Sequence, residues 1–284
     1  MKHKKRKKKL NILLPTNATK LDFQRKQITA HSIEEPIICE VPVALVYNGI
    51  SHTVMMATPQ SLADFALGFS LAEGILQHKS ELYGLEIIPQ CDGVEVQMEI
   101  ATRRFVELKA KRRSMAGRTG CGICGVEQLA QVNQQLNITC QNNRLQAVEA
   151  HILECCLSQL EQAQSLAKIT GASHAAAFFT PNGQLLAIRE DVGRHIALDK
   201  LIGWYAQADM PLGFVFVTSR ASFEMVQKCL AVGIEMLCAI SATTERAVKI
   251  AQRHNFTLSA FTRPGKATIY TGVHRLKNQP LFSE

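Results

Sequence analysis

The sequence contains no run of 18 apolar residues, so no segment of it reads as a membrane-spanning helix. It is poor in the aromatic side chains that stack on bases, with one Trp and four Tyr, which argues against a nucleic-acid partner. There is no internal repeat, and no low-complexity tract beyond a basic stretch at the start. The apolar stretch that follows it, residues 10–15, is too short for a signal-peptide core and has no small-residue cleavage pattern. A cytoplasmic protein without a membrane partner is the expectation.

A disulfide framework is also missing. The nine cysteines, at 39, 91, 121, 124, 140, 155, 156, 229 and 238, are odd in number. Most sit in apolar surroundings, as free thiols do in a reducing compartment. Hydrophobic content of 46% and charged content of 20% over 284 residues supply enough apolar material for a core without disulfide staples. The net charge of +8 is concentrated at residues 2–9, where seven of eight side chains are Lys or Arg. Like charges in a block repel, and residues 1–40 read as a basic arm and lead-in without fixed structure.

The remainder divides softly near residue 146. Residues 41–48 and 50–56 read as strands joined by an Asn48-Gly49 hairpin turn. Thr58 and Pro59 have the pattern of an N-cap and first helical residue, opening a helix that runs to about Gly74. Residues 94–100 alternate as a half-buried strand, and 105–108 read as a continuation of the sheet. Residues 126–132 begin a helix, and 134–146 form a polar loop. In the second half, 150–168 reads as a helix. Residues 175–179 and 185–189 are paired strands, followed by a helix at 195–206. Residues 214–218 and 236–240 are continuous apolar strands of the kind buried on both faces. Helices at 222–232 and 244–254 alternate with them, and strands at 257–261 and 267–270 complete the series. Alternating strands and helices predict a layered α/β sheet, at least partly parallel.

One cysteine pair stands in a polar, glycine-rich setting, Gly120-Cys121-Gly122-Ile123-Cys124-Gly125. Its spacing admits several chemistries. Structural zinc needs four ligands, and the only other close pair, Cys155-Cys156, projects about 100° apart on a helix. That weakens a zinc-stabilised nucleic-acid-binding protein. A thioredoxin-like redox pair belongs at a helix N-terminus early in a domain, not mid-chain between glycines. A thiolate nucleophile gains from cations, and Lys109, Lys111, Arg112, Arg113 and Arg118 precede the pair. Glycine lets backbone amides approach the sulfur. Two incidental loop cysteines remain the plain alternative.

The segment Arg118-Thr119-Gly120-Cys121-Gly122-Ile123-Cys124-Gly125-Val126-Glu127-Gln128 resembles the signature loop of the FdhD family of formate dehydrogenase accessory sulfur carriers. Four further blocks resemble the family in the same order. They are Val41-Pro42-Val43-Ala44-Leu45-Val46-Tyr47-Asn48-Gly49, then Glu190-Asp191-Val192-Gly193-Arg194-His195 with Ala197-Leu198-Asp199-Lys200. Next come Ser219-Arg220-Ala221-Ser222-Phe223-Glu224-Met225-Val226-Gln227-Lys228 and Phe261-Thr262-Arg263-Pro264-Gly265-Lys266.

The resemblance implies a cytidine deaminase-like layered sheet with helices over residues 147–284, and a smaller β-rich domain over 41–146. It implies a sulfurtransferase that accepts persulfide sulfur from a cysteine desulfurase. The sulfur goes to the molybdenum cofactor, bis-molybdopterin guanine dinucleotide, so that formate dehydrogenase becomes active. Cys121 matches the persulfide-bearing cysteine and Cys124 its second loop cysteine, a relay or a resolving thiol. Phe261, Thr262, Arg263, Pro264, Gly265 and Lys266 match the cofactor-binding stretch, where a guanine nucleotide such as GDP would sit. A homodimer is implied by analogy. A non-catalytic cofactor-binding chaperone is the alternative.

Outside the loop, plainer readings stand beside the functional ones. Ser219 to Ser222 opens a helix after a buried strand, a place for phosphate or an ordinary N-cap. The cluster Asp191, Gly193, Arg194 and His195 is a ligand contact or a helix start capped by Asp191. His174-Ala175-Ala176 stands where a deaminase has H-x-E. Ala176 replaces the Glu and no P-C-x-x-C follows, so neither deamination nor a metal is expected.

Overall fold

The computed structural model of the chain describes residues 10–24, 27–116, 144–145 and 147–277. The basic arm at 1–9 and the stretch expected as a helix and polar loop at 126–143 lie outside these. Residues 13–24 and 27–38, expected as an unstructured lead-in, instead pair as antiparallel strands, β1 (Leu13–Gln24) and β2 (Gln27–Ile38). Their described side chains are mostly exposed, with Leu14, Leu21 and Ile37 among them, so the burial alternation that marks a half-buried strand is absent.

β3 (Val41–Tyr47) and β4 (Ile50–Ala57) meet at the anticipated turn. Asn48 and Gly49 both have positive φ, 46° and 79°, as a type I′ turn requires. β5 (Leu82–Gln90) and β6 (Gly93–Ile100) complete a four-stranded sheet in the order β4-β3-β6-β5, with β3 and β6 parallel. Asn48 ties the turn to this sheet, its carboxamide accepting from the Ile100 amide at 2.7 Å and donating to the Ile100 carbonyl at 3.1 Å. That pair gives the first motif block a structural reason.

Two expectations need correction here. Helix α1 (Leu62–Ala72) begins four residues after Thr58, with Ser61 at its N-cap; Thr58 is drawn away by buried partners described below. Residues 105–108 are not a strand but part of helix α2 (Thr102–Ala116). Arg104 pairs with Glu107 one turn on, and with Glu81, each at 2.8 Å, while Leu108 enters the core.

After a short strand β7 (Val148–Glu149), the expected single helix is two, α3 (Ile152–Ala163) and α4 (Ser165–Thr170). The break at Gln164 frees the amides of Leu166 and Ala167, both of which donate to Glu190 at 2.9 Å. The chain continues as β8 (His174–Phe179), β9 (Leu185–Asp191), α5 (Arg194–Gln207), β10 (Phe214–Val217), α6 (Phe223–Ala231), β11 (Met236–Ala239), α7 (Glu245–Arg253), β12 (Thr257–Arg263) and β13 (Lys266–Thr271). A last strand, β14 (Leu276–Lys277), pairs with β7.

These strands form a six-stranded sheet in the order β13-β12-β11-β10-β8-β9, parallel through β10, β11 and β12 and antiparallel elsewhere. Alternate side chains face opposite layers. Ala176, Phe178, Val215, Val217, Leu237 and Ala239 join the core shared with α1, α5, α6 and α7. Ala177, Phe179, Phe214, Phe216, Met236 and Cys238 meet α3 on the other face. The layered α/β sheet expected from the sequence is therefore present. The first core also takes in Val43, Leu45, Val94 and Val96 of the smaller sheet.

Helices α1 and α5 cross at backbone contact. A Cβ on Gly68 would lie 1.8 Å from the Asp199 carbonyl oxygen, and one on Gly203 2.0 Å from that of Asp64. Glycine is required at both positions for this approach.

Candidate functional site

Parallel strands end on one edge, and the segments that leave them gather there. At the carboxyl edge of β10, β11 and β12 lie residues 218–222, 240–244 and 261–266. β8 runs the other way, so it starts at this edge beside the end of β9, with His174 paired to Asp191. Ala221 bridges Thr243, and the Phe261 amide donates to the Ser241 carbonyl at 3.0 Å. Three motif blocks separated along the chain thus share one rim.

The block at 190–200 is mostly interior scaffolding. Glu190 accepts from the start of α4 and from the hydroxyls of Ser165 and Ser173. Asp191 and Lys200 form a fully buried ion pair at 2.6 Å. Asp191 also accepts from the Thr58 amide at 3.0 Å and the Gly193 amide at 2.9 Å, and Lys200 donates to the Thr58 carbonyl at 3.0 Å. Burial pulls the Lys200 ammonium down, and Asp191 opposes that pull. Asp191 does not cap α5 as expected: Gly193 is the N-cap and no side chain caps the helix, because the Asp191 carboxylate is taken by Lys200, by the Gly193 amide and by Thr58, 133 residues away.

His195 belongs to a second feature. Its Nε2 lies 2.7 Å from the Glu224 carboxylate, and its imidazole is held below its ordinary pKa by burial and by Arg194. Lys228 reaches Glu73 at 2.7 Å and Asp199 at 2.9 Å. Burial pushes the Asp199 carboxyl up to about 6, against the pull of Lys228. His195, Glu224, Glu73 and Lys228, with Ser222 and Arg246, line a cleft of about 670 Å³ between α1 and α6, and Asp199 lies buried behind Lys228. Ser222 sits at the N-cap of α6 but makes no side-chain cap bond. Acidic and basic groups are balanced in this cleft.

The turn at 261–266 opens on the opposite face. Pro264 and Gly265 connect β12 to β13, with Gly265 at φ 72°, the conformation a type II turn assigns to its third residue. Phe261 lies at a bulge with φ 51° and is 47% exposed. A bulky residue held there costs on the order of 1–3 kcal/mol, and such strain persists where the surroundings enforce it. Thr262 is buried beneath it, and Arg263 donates to the carbonyls of Ile240 and Thr262. Thr262, Arg263, Gly265 and Lys266 line a cleft of about 940 Å³ between β13 and the first turn of α3. Phe261 and Pro264 lie outside its lining. The remaining walls are largely apolar, including Leu153, Ile269 and Leu276.

The family model of the FdhD/NarQ family matches residues 38–277. The chain belongs to the FdhD/NarQ family. The fold is also that of a crystallised protein from Desulfotalea psychrophila described as a formate dehydrogenase accessory protein, at a TM-score of 0.70 and 19% identity over 93% of this chain and 99% of that one. The FdhD/NarQ match includes the Cys121 loop and the 261–266 turn, but of the β1–β2 pair only Ile38.

Cys121 and Cys124, the site cysteines expected from the sequence, lie outside the described residues. The described cysteines fall into two groups. Cys39, Cys156, Cys229 and Cys238 are buried, and burial raises the thiol pKa of Cys39, of Cys238 and of Cys156, the last up to about 12. Such thiols are poor nucleophiles. Cys91 and Cys155 are exposed. Among the described residues no three His, Cys, Asp or Glu side chains are grouped to hold a metal ion, and no helix is long and apolar enough to cross a membrane. His174 is half-buried at the start of β8, its pKa lowered by burial and by Arg194.

Proposed function

We propose that this chain is a persulfide carrier and sulfurtransferase of molybdenum-cofactor maturation, serving formate dehydrogenase in the cytoplasm. Two findings support the reading. The match to the FdhD/NarQ family spans both the Cys121 loop and the 261–266 turn. The observation that carries it is the cleft of about 940 Å³ with Arg263 and Lys266 on its wall, suited to an anionic ligand with a large apolar part.

In this reading the Cys121 thiolate attacks the terminal sulfur of a cysteine desulfurase persulfide. One S–S bond breaks as another forms, the desulfurase leaves as its thiolate, and the terminal sulfur with its proton resides on Cys121. Cys124 relays that sulfur by taking it as its own persulfide, or resolves the Cys121 persulfide as a Cys121–Cys124 disulfide, with the outer sulfur leaving as hydrosulfide to the acceptor. The acceptor is bis-molybdopterin guanine dinucleotide, bound as substrate. Arg263 and Lys266 offer charge to its phosphates, and the backbone at Gly265 admits close approach. A homodimer is the proposed assembly.

The test is a Cys121→Ala variant in cells that depend on this protein for formate dehydrogenase activity. Activity is lost, while the purified variant keeps its circular dichroism spectrum and still binds GDP. Full activity in that variant would refute sulfur transfer and leave the cofactor-binding chaperone.

A further inference from the structure

The 261–266 turn forms only one wall of its cleft. The other is the entry to α3, where Ala150 and His151 precede the helix and Leu153 and Glu154 lie in its first turn, facing β13 across the same space. None of these residues lies in a motif block, and nothing in the local sequence marks them. Between the walls the lining is mostly apolar, with the Tyr270 ring among it. Cations therefore stand on one side and a single carboxylate on the other, with an apolar floor suited to a flat ring between them.

We propose that Glu154 is a specificity-determining residue that selects guanine over adenine in the nucleotide this cleft takes. The inference rests on the cofactor-binding reading above and adds the base-reading group to it. Guanine presents an N1–H and an exocyclic amine on one edge, two donors side by side that a carboxylate accepts together. Adenine presents an acceptor at N1, which meets a carboxylate with repulsion. Hypoxanthine keeps the N1–H and lacks the amine. With Arg263 and Lys266 drawing the diphosphate to the β13 side, the base lies toward α3.

The experiment is titration calorimetry of the full chain with GDP, IDP and ADP, for the native protein, Glu154→Gln and Lys266→Ala. The native protein binds in the order GDP, IDP, ADP. Glu154→Gln weakens GDP about tenfold, the scale of a partly exposed charged hydrogen bond, and tightens ADP, whose N1 no longer meets a carboxylate. Lys266→Ala weakens all three by a common factor. Glu154 is exposed and makes no core contact, so a matching thermal melt establishes that the variant is folded. A native preference for GDP that survives in Glu154→Gln overturns this inference and leaves the cofactor-binding reading standing. No binding of GDP by the native protein overturns both.

Discussion

The motif blocks at 190–200 and 261–266 lie on the same rim of one sheet and have opposite characters. In the first, Glu190, Asp191, Asp199 and Lys200 are buried and each is hydrogen-bonded or ion-paired within the protein. In the second, Phe261, Arg263, Pro264, Gly265 and Lys266 are exposed, Phe261 is held at positive φ, and four of the six residues face a cleft. A recognisable block in a sequence is therefore not by itself a site. One of these holds the fold, and the other is free to meet a ligand.

The sharpest way to break that contrast is Lys200→Met. Removing one partner of a buried pair strands the other charge, so urea unfolding loses about 3–5 kcal/mol. A loss below about 1 kcal/mol, the scale of an exposed pair, would show that the 190–200 block is not scaffolding. Next is Gly68→Ala at the α1–α5 crossing, where the new Cβ meets backbone. A loss of about 3 kcal/mol is expected, and a neutral result would place the helices further apart than described.

Asp199 tests the same region by pH. Its carboxyl is raised from an ordinary value near 4 to about 6 by burial. Between these values the folded state holds a proton that the unfolded chain does not, so this group's contribution is full below about pH 4 and is lost as pH rises to about 6. Asp199→Asn removes that slope from a series of thermal melts, and an unchanged slope would reject the buried carboxyl as its source. The smallest stability change belongs to the other block. Lys266→Ala shifts unfolding by less than about 0.5 kcal/mol while weakening GDP binding. A large stability loss there would erase the distinction between the two blocks.

Much of the second half was legible in the sequence. The continuous apolar strands at 214–217 and 236–239, and the helices after them, need only local pattern to be read. The hairpin turn at Asn48-Gly49 was equally plain. Other features depend on partners far along the chain. Thr58 has the chemistry of an N-cap, yet its amide and carbonyl are taken by Asp191 and Lys200, and the helix starts later. Phe105, Val106 and Leu108 look like a strand, while the ion pairs of Arg104 accompany a helix. The pair of β1 and β2 has little buried surface among its described side chains and so no periodic signal. At the candidate site, the 261–266 turn was marked by its motif and its Pro-Gly pair. The facing turn of α3 was not, because its place in the cleft arises from the packing of α3 beside β13.

The central claim concerns Cys121, and intact mass spectrometry addresses it most directly. The full chain, incubated with a cysteine desulfurase and free cysteine, gains about 32 Da, one sulfur atom, that reductant removes. Peptide mapping places it on Cys121, and Cys121→Ala does not gain it. A native chain that stays unmodified, or a Cys121→Ala variant that acquires the same sulfur, would contradict the account.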